Sequence, residues 1–164
     1  MIDYIVNSLS ATSEELAVFI LAMLPISELR GAIPLAVLVF EFSFFKAICI
    51  SFIGNLIPVL PILLFFDKIE KLLRQTKFSN RCIDWFIHRA EKKSPMVERL
   101  GAVGLMFFVA IPLPVTGAWT GSAIAFLLGL DVRKAFCYIA LGVAIAAGVV
   151  SLLTHIGVVV VNTV

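Results

Sequence analysis

Two ionisable residues, Glu28 and Arg30, lie in the middle of an apolar stretch that runs from about residue 16 to residue 40. Charged side chains are costly inside a bilayer, and they usually face a cavity, pair with each other, or serve a substrate or proton path. The guanidinium of Arg30 can bind a phosphate or carboxylate with two parallel hydrogen bonds. A carboxyl group in a pocket of low dielectric constant protonates readily, which makes Glu28 the candidate proton-coupling residue. The pair predicts a site for an anionic group, and a purely structural ion pair is the alternative.

A second apolar stretch is interrupted at 112–117, where small and polar residues cluster. We expect the helices that leave the two interruptions to begin around Gly31 and Ala118, and helix N-termini favour anions because of their partial positive charge. Asn55 lies nine residues after Lys46, which is about 13 Å along a helix and reaches the same depth. The predicted substrate-binding residues are Glu28, Arg30, Gly31, Asn55, Thr116, Gly117, Trp119 and Thr120.

Some of these residues have a structural alternative. The amide of Asn55 could satisfy only backbone groups, and the hydroxyls of Thr116 and Thr120 could bond back to helix carbonyls. Gly117 and Gly121 form a GxxxG pattern, which is typical of close helix packing.

The sequence contains no motif that is typical of an enzyme: there is no GxSxG, HExxH, P-loop or Rossmann glycine pattern. Cys49, Cys82 and Cys137 show no metal-ligand spacing. We therefore expect no catalytic residue, no metal and no cofactor. The net charge of +2 and the lack of a basic run interleaved with aromatic residues predict no nucleic-acid partner.

The composition is that of a membrane protein. Hydrophobic residues make up 61% of the chain and charged residues 15%, whereas soluble domains are nearer half apolar and a quarter charged. The apolar stretches cover about 16–40, 44–66, 101–130 and 134–161. The second and fourth are long enough to span a bilayer. The sequence predicts an all-α integral membrane protein with a single membrane domain, 1–164.

The first and third stretches contain helix breakers, namely Pro25, Pro34, Pro112 and Pro114. Each arm beside a breaker is short, so each stretch is predicted to enter the bilayer, turn and return as a re-entrant hairpin. Bare backbone at that depth must be covered by protein or line a cavity. We therefore expect the two tips to cover each other and form a midplane site, as in transporters with broken helices.

An internal repeat supports this arrangement. Residues 46–49, Lys-Ala-Ile-Cys, match residues 134–137, Lys-Ala-Phe-Cys, at an offset of 88, and Pro25 matches Pro112 at an offset of 87. Each predicted unit is one re-entrant hairpin followed by one transmembrane helix, and the two units are inverted. The predicted parts are repeat 1 (about 16–66), an amphipathic connector (67–100) and repeat 2 (about 101–161).

Charge distribution predicts the topology. The segment 67–100, together with Arg133 and Lys134, holds eleven of the thirteen Lys and Arg residues. The positive-inside rule places this side in the cytoplasm. Both termini are then external in a multi-pass protein of the cell membrane. Four ordinary spanning helices are the alternative, and they would place the N-terminus inside.

Three motifs resemble a known family: Glu28-Leu-Arg-Gly-Ala-Ile-Pro34, Gly54-Asn55-x-x-Pro58, and the segment 111–122. They resemble the small multidrug export family, which is similar to a branch of the DedA superfamily of membrane proteins. The resemblance implies paired re-entrant loops and roles in moving lipid-linked phosphates or scrambling lipids, coupled to protons in some members. It also implies functional roles for Glu28 and Arg30. The second tip lacks the charged residues of DedA proteins.

Together these patterns predict a membrane transporter or flippase for an anionic amphiphile such as a lipid-linked phosphate, with proton coupling. Its partners would be membrane lipids, the anionic substrate, protons and a second copy of the chain in a homodimer. One alternative is a small multidrug or cation exporter in which Glu28 binds the cation. Another is a non-transporting scaffold that binds lipid or a partner through the 67–100 surface.

Overall fold

The computed structural model describes the backbone of residues 2–73, 97–112 and 116–163. Within these ranges the chain is helical and contains no strand, so the all-helical class is confirmed. The helices are α1 (Ile2–Met23), α2 (Glu28–Leu38), α3 (Phe44–Leu56), α4 (Val59–Leu73), α5 (97–110), α6 (Ala118–Leu127) and α7 (Val132–Thr163).

Two helical segments, Phe44–Phe66 and Val132–Val159, are long and apolar enough to cross a membrane. The first consists of α3 and the start of α4, which meet at a turn beside Pro58 because proline has no N–H to continue the ladder. A kink at Phe65, with φ −132° and ψ 23°, marks its other end. These two segments correspond to the second and fourth apolar stretches of the sequence.

The first interruption is shorter than the sequence predicted. It occupies only the four residues between Met23 and Glu28, so α2 begins at Glu28 rather than around Gly31. The prediction of Pro34 as a breaker was wrong, because Pro34 lies inside α2. A proline removes a single N–H, and in membrane helices neighbouring groups compensate for that loss.

The arm before this interruption is also longer than expected. Helix α1 has 22 residues, about 33 Å, whereas the predicted arm began near residue 16. The apolar pattern missed about its first four turns, because Asp3, Glu14 and Glu15 interrupt the apolar residues.

The second interruption follows α5, and α6 begins at Ala118 as predicted. Pro112 lies in this interruption, whereas Pro114 falls outside the described residues. Most of the predicted amphipathic connector also falls outside them, since α4 is described to Leu73 and the chain again from residue 97.

The chain divides into two compact units. Unit 1 comprises 1–55 and 147–164, and unit 2 comprises 56–146. Unit 1 has a small-residue core in which α1, α2 and α3 meet, formed by Val18, Ala22, Ala32, Ala36 and Ala47.

Helices α1 and α3 run in the same direction within unit 1. Lys46 Nζ lies 2.6 Å from Glu15 Oε1. One to two turns further along both helices, a Cβ on Gly54 would lie only 2.7 Å from the carbonyl oxygen of Phe19. At the start of α3, Phe44 packs edge-on against His155 of α7, with ring centroids 5.7 Å apart.

Unit 2 packs in a similar way. A Cβ on Gly142 of α7 would lie 2.7 Å from the carbonyl oxygen of Met106 in α5. A Cβ on Gly121 of α6 would lie 2.6 Å from Val109 Cγ2, so the GxxxG glycine does serve close packing. Helix α4 contacts α6 through Phe66 and Phe126, whose ring centroids are 5.2 Å apart.

Candidate functional site

The first interruption is held by hydrogen bonds from its own residues. The hydroxyl of Ser27 donates to the carbonyl oxygen of Leu21. The N–H of Glu28 donates to the carbonyl oxygen of Leu24 at 3.1 Å, and the N–H of Gly31 donates to that of Ser27 at 3.0 Å. The end of α1 and the start of α2 are therefore joined without a long exposed loop.

Glu28 is the first residue of α2, and its backbone is unusual. Its φ is +46°, in the left-handed region. This region costs a residue with a Cβ about 1–2 kcal/mol. Such strain persists only where the surrounding structure enforces it, and it clusters at functional sites. The observation supports Glu28 as a functional residue.

Glu28 and Arg30 form a largely buried ion pair. Arg30 Nη2 lies 3.2 Å from Glu28 Oε2, and the side chains are 21% and 7% exposed, respectively. The Arg30 side chain is the more accessible partner, and the Glu28 side chain is almost fully covered. The pairing also means that neither charge is uncompensated in an apolar environment.

Gly31 has a packing role in addition to its predicted binding role. A Cβ at this position would lie 2.9 Å from Ser27 Cβ. A larger residue would push Ser27 away and disturb the turn that carries Glu28.

Asn55 lies at the level of the first interruption, as the sequence predicted. The preceding residue, Gly54, contacts Phe19 and Ala22 in the last two turns of α1. Asn55 is 1% exposed, and its Oδ1 has no hydrogen-bond partner among the residues that the structure describes. Of the predicted substrate-binding residues, unit 1 contains Glu28, Arg30, Gly31 and Asn55, and their role in binding stays a prediction.

Sequence reasoning missed two further polar residues of unit 1. Ser51 and Ser151 are buried, and their hydroxyl oxygens also lack a partner within the described ranges. A signal for Ser51 was present, because it precedes Asn55 by four residues and so shares its helix face. No comparable signal marks Ser151.

The remaining predicted site residues belong to unit 2. Thr116 is buried and donates to the carbonyl oxygen of Ile111 at 2.7 Å, which is the back-bonding alternative. Gly117 is extended, Trp119 is half-buried and Thr120 is buried. The meeting of this tip with the first interruption stays a prediction.

In the part of the chain that the structure describes, no group of three His, Cys, Asp or Glu residues could hold a metal ion.

The described residues form helices, and two of the helical segments are long and apolar enough to cross a membrane. Residues 28–149 match the family model described as "Putative small multi-drug export protein", and the chain belongs to this family. The matched range begins at Glu28 and includes every predicted substrate-binding residue. None of the curated proteins and none of the solved structures gives a significant match. The resemblance to the small multidrug export family is thus confirmed, and the link to the DedA superfamily stays a prediction.

Proposed function

We propose that this protein is a transporter or flippase for an anionic amphiphile, such as a lipid-linked phosphate, and that proton uptake drives binding. One observation carries the proposal: the strained first residue of α2, Glu28, holds the partly accessible guanidinium of Arg30 at 3.2 Å. An export role agrees with the description of the family.

The ion pair suggests a mechanism of exchange. Without substrate, the Glu28 carboxylate neutralises Arg30. When Glu28 takes up one proton, Arg30 is released and binds one anionic group of the substrate through its donor fork. One positive and one negative charge bind together, so the buried site remains neutral throughout. A neutral site avoids the large cost of an unpaired charge in an apolar environment.

An inverted repeat of two re-entrant hairpins would provide the scaffold, and paired local features support it. A Cβ added to Gly54 would lie 2.7 Å from the carbonyl oxygen of Phe19 in α1. A Cβ added to Gly142 would lie 2.7 Å from that of Met106 in α5. Just before each long helix a side chain accepts a hydrogen bond from a backbone N–H. Ser43 Oγ accepts from the N–H of Lys46, and Asp131 Oδ1 accepts from the N–H of Lys134. Both pairs are 88 residues apart, the offset of the sequence repeat.

The composition of the compact units also supports the repeat. Each unit contains one interruption, the first half of one long apolar segment and the second half of the other. The two units thus contain corresponding parts of the chain, as a repeat predicts.

Two substitutions test the proposal in proteoliposomes that contain a fluorescent phosphate-bearing lipid. Arg30→Ala should reduce its transport at least a hundredfold. Glu28→Gln mimics the protonated acid, so it should retain transport but lose the dependence on a pH gradient. Lys46→Ala is the matched control, because it removes a cation from the accessible pair with Glu15. Normal, gradient-dependent transport by both site variants would refute the mechanism.

A small multidrug or cation exporter is the second candidate, and the family description favours it. In that case Glu28 would bind the cation, and Arg30→Ala would spare or increase export of a lipophilic cation. The pairing of Glu28 with Arg30 argues against this assignment, because the carboxylate is already neutralised.

The predicted topology has its own test. Glu41→Cys and Asp131→Cys, in a chain whose native cysteines are replaced by serine, should react with an impermeant thiol reagent from opposite sides of the membrane. Labelling from the same side would favour four ordinary spanning helices.

The proposal also includes the cell-membrane location, the cytoplasmic 67–100 segment, the external termini and the homodimer. The scaffold alternative would require that changes to 67–100 abolish activity while both site variants are silent.

A further inference from the structure

Three buried oxygen atoms in unit 1 have no hydrogen-bond partner among the residues that the structure describes. They are Ser51 Oγ, Asn55 Oδ1 and Ser151 Oγ, in residues that are 0%, 1% and 8% exposed, respectively. An unsatisfied buried polar group costs about 1–3 kcal/mol. Three such groups would use a large share of the 5–15 kcal/mol by which a protein is stable. Native structures rarely leave such groups unpaired, and an internal water or ion is a usual explanation.

The three side chains are spaced along unit 1. The contact between Phe44 and His155 marks one end of this unit. From that contact, Ser151 is one turn away along α7, about 6 Å, and Ser51 is about 10 Å away along α3. Asn55 is one further turn along, about 16 Å from the same contact.

The far end of this series lies near the last turn of α1. Gly54, next to Asn55, contacts Ala22, and the first interruption begins two residues after Ala22. Glu28 follows this interruption directly. The three polar residues therefore lie at increasing distance from the end marked by exposed His155, in the direction of the turn after which Glu28 begins α2.

Charge decides which ligand fits. A cation bound by three neutral oxygens would need a negative group nearby, because an isolated ion in an apolar environment costs tens of kcal/mol. Glu28 cannot supply that charge, since Arg30 already neutralises it. Water carries no charge, donates to both hydroxyl and amide oxygens, and needs only two to four polar partners.

We propose that Ser51, Asn55 and Ser151 bind internal water, and that this water carries protons between the His155 end of unit 1 and Glu28. The water site does not depend on the proposed function, whereas its role as a proton route rests on it. The hydroxyl of Thr154 already donates to the carbonyl oxygen of Val150 at 2.8 Å, so Thr154 is not part of the series.

The thermal stability of the purified full-length protein tests the water site. Ser51→Ala, Asn55→Leu and Ser151→Ala should each lower the melting temperature by a few degrees, because each removes a partner of bound water. Ser122→Ala is the matched control: Ser122 is equally buried, but its hydroxyl donates to the carbonyl oxygen of Ala118 at 2.6 Å. Higher melting temperatures for the three variants than for the wild type would overturn the proposal, since removing a truly unsatisfied group stabilises a protein.

Proton uptake into proteoliposomes with an entrapped pH dye tests the route. The double variant Ser51→Ala/Ser151→Ala should take up protons at least tenfold more slowly than the wild type, while Arg30-dependent binding of the phosphate-bearing lipid is retained. Unchanged proton uptake by this double variant would overturn the route. Transport of the anion without any proton uptake by the wild type would also overturn the route and leave the anion site standing. Loss of Arg30 dependence, with lowered melting temperatures, would instead refute the proposed function and support the water site.

Discussion

In both units a glycine allows two helices to pack closely, but the buried residues at matching positions are polar in unit 1 and apolar in unit 2. At the repeat offset of 88, the three unpartnered polar residues of unit 1 correspond to apolar residues of unit 2. The matched pairs are Ser51 with Ile139, Asn55 with Val143, and Ser151 with Leu63. All three apolar counterparts are buried.

The two units share close helix packing, but they differ in the buried polar groups that could bind a ligand. Gly54 and Gly142 allow one close helix approach in each unit, so both need the same backbone arrangement. Only unit 1 combines that arrangement with a buried ion pair and unpartnered polar atoms within the described ranges. We infer that the buried ion pair and the unpartnered polar groups of unit 1 carry the charged part of the ligand chemistry.

The largest effect that separates the units is expected from Val143→Asn. This change places an amide like that of Asn55 at the matching position of unit 2, where the apolar side chain of Val143 is 1% exposed. We expect the free energy of unfolding to fall by about 3 kcal/mol. Equilibrium unfolding in mixed micelles measures it, with the volume-conserving Val143→Thr as a milder control. A neutral Val143→Asn would mean that unit 2 is hydrated as well, and the comparison would fail.

An intermediate and equal effect in both units is expected from Gly54→Ala and Gly142→Ala. Each new Cβ would lie 2.7 Å from a backbone oxygen, which costs about 1–3 kcal/mol through overpacking. The better helix propensity of alanine offsets about 1 kcal/mol of this. Gly148→Ala is the control, since no atom lies within 4 Å of its added Cβ, and it should be neutral or stabilising. Opposite signs for Gly54→Ala and Gly142→Ala would break the structural equivalence of the units.

The smallest effect concerns the turns that precede α3 and α7. Glu41 has φ +54° and Gly129 has φ +63°, and the two positions are 88 residues apart. Because glycine tolerates positive φ, Glu41→Gly should stabilise the protein by about 0.5–1 kcal/mol, and Gly129→Ala should destabilise it by a similar amount. Glu41→Gln retains the Cβ and should leave the melting temperature unchanged. If Glu41→Gln stabilises as much as Glu41→Gly, charge rather than backbone strain accounts for the effect.

The candidate site was predictable in part. Glu28 and Arg30 stand out because charges are rare in apolar stretches, and that signal needs no structure. The depth of Asn55 followed from counting helical residues after Lys46. The φ of +46° at Glu28 could not be read from residue types, and the sequence left open whether Thr116 bonds back to the chain, as it does to Ile111. Both depend on how the chain closes each interruption.

Residue types along the chain were enough to predict the helical class, the two long apolar segments and the location of both interruptions, because hydrophobicity and proline act locally. The folded structure was needed to show that Pro34 remains helical and that α1 begins at Ile2. It also decided which polar residues are buried without a partner, as Ser51 and Ser151 are. Burial is set by neighbours that are distant in the chain, so a residue's own segment carries little information about it.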